Sequence, residues 1–267
     1  MIERLLQDPS IVVSGHRGYK SAYPENTLLA FEKALELGVH MLEFDLRLSQ
    51  DKVLMIIHDE TVDRTTDGSG PVSSFTSEEL RGLDAGSWFG GEFAGLRIPE
   101  FSELCELIAP WPELLLNVEI KPAPDAEAAA DAAVAMLKNY GYLDRCVFTS
   151  FDANIIAHLH DQYGVKTQGF PGEAMFNFVP GEHGTYSKMW AAGISMKQLT
   201  PSLADELRHL GLLAWCYCPD DDRQVYYALS CGVTMMTCNH PVPALEIGRL
   251  LDSRLQLSGL GRTGGTE

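Results

Sequence analysis

Short apolar runs alternate with helix-period patterns from one end of this chain to the other. Residues 11–15 (IVVSG) read as a buried strand. NTLLAFEKALELG follows, with Leu28, Phe31, Ala34 and Leu35 on one helical face and Gly38 placed to cap it. Residues 41–60, MLEFDLRLSQDKVLMIIHDE, are strand-like, and their apolar character resumes after the four polar residues SQDK. Residues 59–100 break the pattern: rich in Gly, Ser and Thr and too long for a plain connection, they read as an inserted segment. Alternation then returns. FSELCELIA predicts a helix, LLLNVEI a strand and DAEAAADAAVAMLKNYG an Ala-rich helix. RCVFTSF, VKTQGF, ISMKQ, LLAWCYC and VTMMTCN are further strands, separated by NIIAHLHDQYG, PSLADELRHLG and DRQVYYALSCG. PALEIGRLLDSRL is a last helix, and residues 257–267 a flexible tail.

Strand and helix alternating over the whole length imply a parallel sheet with helices outside it. About nine strand candidates are present, and no Gly-x-Gly-x-x-Gly follows the first, which weakens a Rossmann reading. A single TIM-type (β/α)₈ barrel over residues 1–267, with the insert after a hairpin on its second strand, fits the length better.

Charge buried in a strand must be paired, solvated or bound to something. In residues 41–48 the period of two puts Glu43, Asp45 and Arg47 on one face and Leu42, Phe44, Leu46 and Leu48 on the other. With the apolar face under helices, both acids aim into the barrel. A hairpin closing near residues 50–53 would bring His58 roughly opposite Asp45. Other strand ends carry His16-Arg17-Gly18, Glu119 with Lys121, Ser150-Phe151, Trp215 to Cys218, and Thr237-Cys238-Asn239. In a barrel of this type the C-terminal strand ends form the active site. Three facing carboxylates repel unless a hard cation lies between them, and oxygen-only ligands suit Mg²⁺ or Ca²⁺.

Composition narrows the field. The formal charge is −17, which opposes nucleic acid and anionic membrane as partners and requires local cations or a metal to hold an anionic substrate. None of the six cysteines forms a C-x-x-C pair, so a reduced, cytoplasmic setting is expected; a soft-metal site at Cys216, Cys218 and Cys238 is disfavoured. The N-terminus MIERLLQDPS lacks a signal-peptide core, and no run approaches the ~18 apolar residues of a membrane span. A homo-oligomer remains compatible with these features.

HRGYKSAYPENT, LEFDLRLSQDKVLMIIHDETVDRTTDGSG, LNVEIKP and TSFD, with AWCYC and MMTCNHP more loosely, resemble the glycerophosphodiester phosphodiesterase family. These pieces span nearly the whole chain in the family's order, and the first three are specific. The resemblance implies a (β/α)₈ barrel hydrolysing glycerophosphodiesters to sn-glycerol 3-phosphate and an alcohol. It implies His16 and His58 as the acid/base pair, and Glu43, Asp45 and Glu119 as ligands of one divalent cation, Mg²⁺ or Ca²⁺. Arg17 and Lys121 match phosphate contacts, Glu25 and Asn26 match supports beside the site, and residues 59–100 match the family's cover over the barrel mouth. Trp215 and Phe151 are expected as walls of the substrate pocket. The family's polar Thr-x-Asn after the tryptophan is here Cys216-Tyr217-Cys218, and its Thr-Asp or Thr-Asn is Cys238-Asn239. Those changes leave the metal and acid/base sets intact and bear on the alcohol side of the pocket.

The chemistry agrees. Attack on an anionic phosphodiester needs charge neutralisation and in-line positioning, with one imidazole to take a proton and another to give one. We read His16 as the base and His58 as the acid. Attack by water and attack by the substrate's own hydroxyl, giving a cyclic phosphate first, both remain open. The blander readings are ion pairs: Glu43 and Asp45 with Arg47 or Lys52, Glu119 with Lys121, His58 with Asp59. The run Asp220-Asp221-Asp222 reads as a helix cap rather than a metal site. Two rivals stand beside the leading function: the same machinery acting on lysophospholipids or on sugar and opine phosphodiesters, and an inactive barrel that binds phosphoesters.

Overall fold

The computed structural model describes residues 11–257. The expected N-terminal features fall outside them, as does the tail apart from Leu257. Among the described residues nine strands form one sheet: β1 (Val12–His16), β2 (Met41–Leu48), β3 (Leu54–Ile56), β4 (Leu115–Ile120), β5 (Cys146–Thr149), β6 (Thr167–Gly169), β7 (Ala191–Ser195), β8 (Leu213–Tyr217) and β9 (Met235–Cys238). The order β1-β9-β8-β7-β6-β5-β4-β2, closed by pairing of β1 with β2, is an eight-stranded parallel barrel. β3 is the ninth strand. It runs antiparallel on β2, pairing Leu46 with Ile56 and Leu48 with Leu54, on the edge that β1 leaves after Glu43. The resumed apolar run is therefore a hairpin return. Its turn is held by a bond from Ser49 N to Val53 O and by Lys52 at a φ of 64°.

Among the described residues the eight longer helices are α1 (Leu28–Leu37), α2 (Ser77–Gly82), α3 (Phe101–Leu107), α4 (Ala126–Tyr140), α5 (Ala153–Tyr163), α6 (Pro201–His209), α7 (Asp222–Ser230) and α8 (Val242–Leu257). Local signals explain their ends. Thr27, Asp152, Thr200 and Asp221 accept N-terminal amides, and Gly38, Gly141 and Gly164 close C-termini in the left-handed region. The strand expected at ISMKQ lies three residues earlier. Ala191-Ala192-Gly193 lack the branched side chains that mark a strand in sequence.

Strand periodicity sorts the side chains into an outer face and inner layers. Outward go Val13, Phe44, Leu46, Val118, Ile120, Phe148 and Ile194, all buried beneath the helices. Inward, at the N-terminal ends, Val12, Met41, Leu115, Val147, Ala191, Trp215 and Met235 form a separate apolar floor. Each large side chain so buried contributes ~1.5–3 kcal/mol, which makes this a plug rather than a channel. Two residues further along β2, β4, β5 and β9 the inner positions turn polar, with Glu43, Asn117, Thr149 and Thr237 buried there. The site stands on that floor.

Residues 59–100 contribute α2 and two single turns, at Val72–Ser74 and Gly91–Phe93. Their Val62, Val72, Leu80, Ala85 and Ile98 pack a small satellite core with Met55 and Ile57 of the hairpin. Among the described residues no helix is long and apolar enough to cross a membrane.

Candidate active site

His16 ends β1, in register with Glu43 of β2. The chain must then turn at once, with Arg17 at a φ of 53° and Gly18 at 83°. A Cβ on Gly18 would fall 2.5 Å from the backbone carbon of Ala30, so only glycine lets this turn lie against α1. Arg17 donates its backbone N–H to Glu43 Oε2 at 2.8 Å. Its guanidinium reaches Glu25 at 2.7 Å and Asp45 at 3.2 Å. Asn26, at a φ of 58°, donates its amide to Asp45 Oδ2 at 2.8 Å. In PENT, then, Glu25 holds Arg17, Asn26 holds Asp45 and Thr27 caps α1. Both residues expected beside the site support groups inside it.

β2 and β4 lie in parallel register, Glu43 beside Asn117 and Asp45 beside Glu119. Ligand atoms of Glu43, Asp45 and Glu119 all lie within 4.8 Å of one another, and all three residues are buried. Lys121 forms ion pairs with Asp45, at 2.9 Å, and with Glu119. The suspected ion pair is real, but it leaves Glu43 out. Oε1 of Glu43 is buried without a hydrogen-bond partner. That orphaned oxygen, within an all-oxygen donor set, fits a hard divalent cation. Among the described residues no cysteine joins a group able to hold a metal, and all six cysteines are free thiols.

Protonation follows from these contacts. Burial, with Asp45 and Glu119 close by, pushes Glu43 well above the usual carboxylate range. Burial and Asp45 raise Glu119. Burial would also raise Asp45, but Lys121 and Arg17 outweigh it and hold it ionised. His16 is lowered to about 3 by burial, with Arg17 and Lys20 adding to the effect, so it rests neutral.

His58 reaches the same pocket, one residue away from the expected register. Ile57 N bonds Asp45 O at 3.0 Å, so Ile57 opposes Asp45 and His58 stands just past the ladder. Its Nδ1 lies 2.6 Å from Asp59 Oδ1. Arg64, within residues 59–100, clamps Asp59 through Nε at 2.6 Å and Glu25 through Nη2 at 2.7 Å. Burial, with Lys121 and Arg17 nearby, lowers His58 below the ordinary imidazole value, against the upward pull of Asp45 and of the hydrogen bond to Asp59.

The resulting pocket, of about 140 Å³, is lined by His16, Arg17, Glu43, His58, Glu119 and Lys121 on one side and by Phe151, Phe170 and Tyr217 on the other. Phe151 and Phe170 stack with centroids 3.6 Å apart, and Tyr217 meets Phe170 edge-on at 5.8 Å. Phe151 is thus a lining residue of the pocket. Trp215 is not. It is wholly buried in the floor and donates its indole N–H to Thr237 Oγ1 at 2.9 Å. It faces inward but sits one layer too deep, and Tyr217, two residues on, takes its place. Asn117 also lines the pocket, bonded to Thr149 and Gln168. Its face was available from the period of two that selected Glu119. Phe170 and Gln168 had no comparable signal, since three-residue β6 is too short to show alternation.

Comparison with known proteins agrees with this geometry. Residues 16–242 match the model of the glycerophosphoryl diester phosphodiesterase family. A glycerophosphodiester phosphodiesterase of Caldanaerobacter subterraneus is 44% identical over 145 residues, 53% of this chain and 58% of that relative. One from Bacillus altitudinis is 35% identical over 149 residues, 55% of this chain and 61% of that relative. The chain therefore aligns with less than two thirds of either protein. A solved Oleispira antarctica phosphodiesterase in complex with the product sn-glycerol-3-phosphate is similar over 90% of this chain and 97% of that one, at 25% identity and a TM-score of 0.79. An Agrobacterium tumefaciens glycerophosphodiester phosphodiesterase structure matches over 88% and 99%, at 26% identity and a TM-score of 0.74.

Proposed function

The chain belongs to the glycerophosphoryl diester phosphodiesterase family, and on that premise we propose that it hydrolyses glycerophosphodiesters to sn-glycerol 3-phosphate and an alcohol, with a divalent cation, Mg²⁺ or Ca²⁺, and two histidines. The observation that carries the reading is the convergence of both imidazoles, Arg17, Lys121, Glu43 and Glu119 on one pocket at the C-terminal strand ends, with the buried Asp45 grouped with the two other acids. Glu43, Asp45 and Glu119 would hold the cation. Bound there, it would supply positive charge to the phosphate oxygens as negative charge builds on them.

The chain's own groups do the rest. Arg17 and Lys121 add fixed positive charge beside the phosphate. His16, resting neutral, takes a proton from the attacking water as its oxygen bonds to phosphorus. The bond from phosphorus to the alcohol oxygen breaks, and His58 gives that oxygen a proton. Burial lowers His58 overall, Asp45 and Asp59 oppose that shift, and an anionic substrate would add to their pull toward the charged form an acid needs. Phe151, Phe170 and Tyr217 offer apolar surface to the glycerol or alcohol carbons. Residues 59–100 are assigned as a cover at the mouth, since Arg64 ties them to Asp59 and Glu25. Free cysteines fit a reducing cytoplasm.

One observation favours lipid-bearing substrates as a second reading. Trp88 and Phe89 of the insert are exposed. Their rings continue through Phe93 to Tyr23, with successive centroids 5.5–5.9 Å apart, as acyl-chain contact would require. Products from a panel of glycerophosphodiesters and lysophospholipids decide between the two. Release of sn-glycerol 3-phosphate from water-soluble diesters supports the first reading, turnover of lysophospholipids alone supports the second, and turnover of neither defeats both.

A further inference from the structure

The acidic run Asp220-Asp221-Asp222 splits between two tasks. Asp221 caps α7, accepting from Gln224 N. Asp220 turns the other way and takes two donors from the segment after β9. Its Oδ2 lies 2.6 Å from Asn239 Nδ2, and its Oδ1 accepts from His240 N at 2.9 Å. Its own N–H donates to Gln224 Oε1 at 2.8 Å, which ties the start of α7 into the same arrangement. Asn239 Oδ1, in turn, lies 2.6 Å from His16 Nδ1.

These contacts leave one self-consistent assignment of hydrogens. An ionised carboxylate only accepts, so Asn239 must present its NH₂ to Asp220. Its carbonyl oxygen must then face His16. Two lone pairs 2.6 Å apart would repel, so Nδ1 of His16 must carry the proton. A flipped amide would set Asn239 Oδ1 against the Asp220 carboxylate. Cys218 Sγ, 3.4 Å from the same Nδ1, would prefer the opposite tautomer if it donated its thiol proton, but its bond is longer and weaker than the amide's. Nε2 is left bare. It is the nitrogen on the Glu43 side, 3.8 Å from Oε2, where the pocket opens.

The geometry points to Asp220 as a positioning residue that, through Asn239, fixes His16 in the Nδ1–H tautomer and keeps Nε2 free to accept a proton. Its effect on rate rests on His16 acting as the base proposed above; the tautomer itself does not. Asp220 does not line the pocket. It replaces a freely flipping amide with one whose orientation is set by a fixed charge.

The test is ¹⁵N NMR of the histidine side chains without substrate, the His16 signals assigned by their loss in His16→Gln. In the wild type His16 should show a proton-bearing Nδ1 and a bare Nε2. Asp220→Asn frees the Asn239 amide to flip, so the tautomers should mix and kcat fall about 10–100-fold with KM within about twofold. The swap Asp220→Asn with Asn239→Asp restores a pure acceptor at 239 and a donor at 220. It should recover the Nδ1–H tautomer and at least tenfold of the lost kcat over Asp220→Asn alone. A wild-type His16 protonated on Nε2 overturns the proposal, even if Asp220→Asn does not fold. So does an Asp220→Asn protein that keeps a single Nδ1–H tautomer. Correct tautomers in an inactive wild type leave the relay standing and defeat the functional reading instead.

Discussion

Replacing Glu43 with glutamine should move stability in opposite directions with and without metal. Without a cation, Glu43 is buried among two other carboxylates with ligand atoms within 4.8 Å. At that separation each pair of charges costs ~3 kcal/mol at an effective dielectric constant near 20. Protonation caps the cost. Burial and the two neighbouring acids push Glu43 well above the usual carboxylate range, so the cost does not exceed that of one such pair, ~3 kcal/mol. Glutamine keeps the shape and removes that cost, less about 1 kcal/mol for a weaker bond from Arg17 N. The chelated Glu43→Gln protein should therefore be about 2 kcal/mol more stable than wild type at pH 7, a Tm raised by about 4–8 °C. Because the raised acid destabilises only above its unfolded pKa, the gain should shrink as pH falls toward 4.5. Added Mg²⁺ or Ca²⁺ at a hundred times Kd should stabilise wild type by about 2.7 kcal/mol and the variant far less. Calorimetry in chelator and in each metal reads both signs. A variant that melts below wild type in chelator, or that keeps the full metal-induced shift, would refute the reasoning, because a carboxylate engaged only in structural ion pairs would lose stability in both conditions.

His16→Ala and His58→Ala should each lower kcat by roughly 10²–10⁴-fold with near-ultraviolet circular dichroism unchanged; a near-wild-type rate from either would remove that residue from the chemistry. Burial would raise Glu25, but Arg64, Arg17 and Lys20 outweigh it and hold it at about 2. Its contribution, about 3 kcal/mol, is fully present above pH ~4.5 and is lost as pH falls toward 2. Urea denaturation of Glu25→Gln across that range should show a flatter acid limb than wild type, and an unchanged slope would contradict the assignment. Trp215→Phe should cost about 1–3 kcal/mol through the lost indole bond and a thinner floor, with KM for a glycerophosphodiester within about twofold. A tenfold rise in KM would put Trp215 back in the substrate pocket.

Much of this arrangement was legible in the residues because the barrel uses period two so regularly. Leu42, Phe44 and Leu46 claim the helix-covered face, which leaves Glu43 and Asp45 no direction but inward. Depth was harder to read. Alternation tells which face a residue takes but not which layer, since the layer depends on how neighbouring strands are staggered. That is why Trp215 was expected at the pocket and lies in the floor, and why His58 stands one residue past the expected partner of Asp45. Long-range hydrogen bonds were hidden for a related reason. Nothing local in Asp220 says that its carboxylate will meet Asn239 rather than cap α7. The family resemblance supplied roles for residues whose geometry only three-dimensional neighbours could check, and the orphaned oxygen of Glu43 is the part of that check no motif contained.

The most direct test of a cation-dependent phosphodiesterase is release of sn-glycerol 3-phosphate from a glycerophosphodiester as one metal is titrated into protein stripped by chelation, with residual metal quantified. The account predicts activity near zero in the stripped protein, restored by Mg²⁺ or Ca²⁺ and saturating at one bound cation per chain. Full activity in protein shown to be metal-free would contradict it.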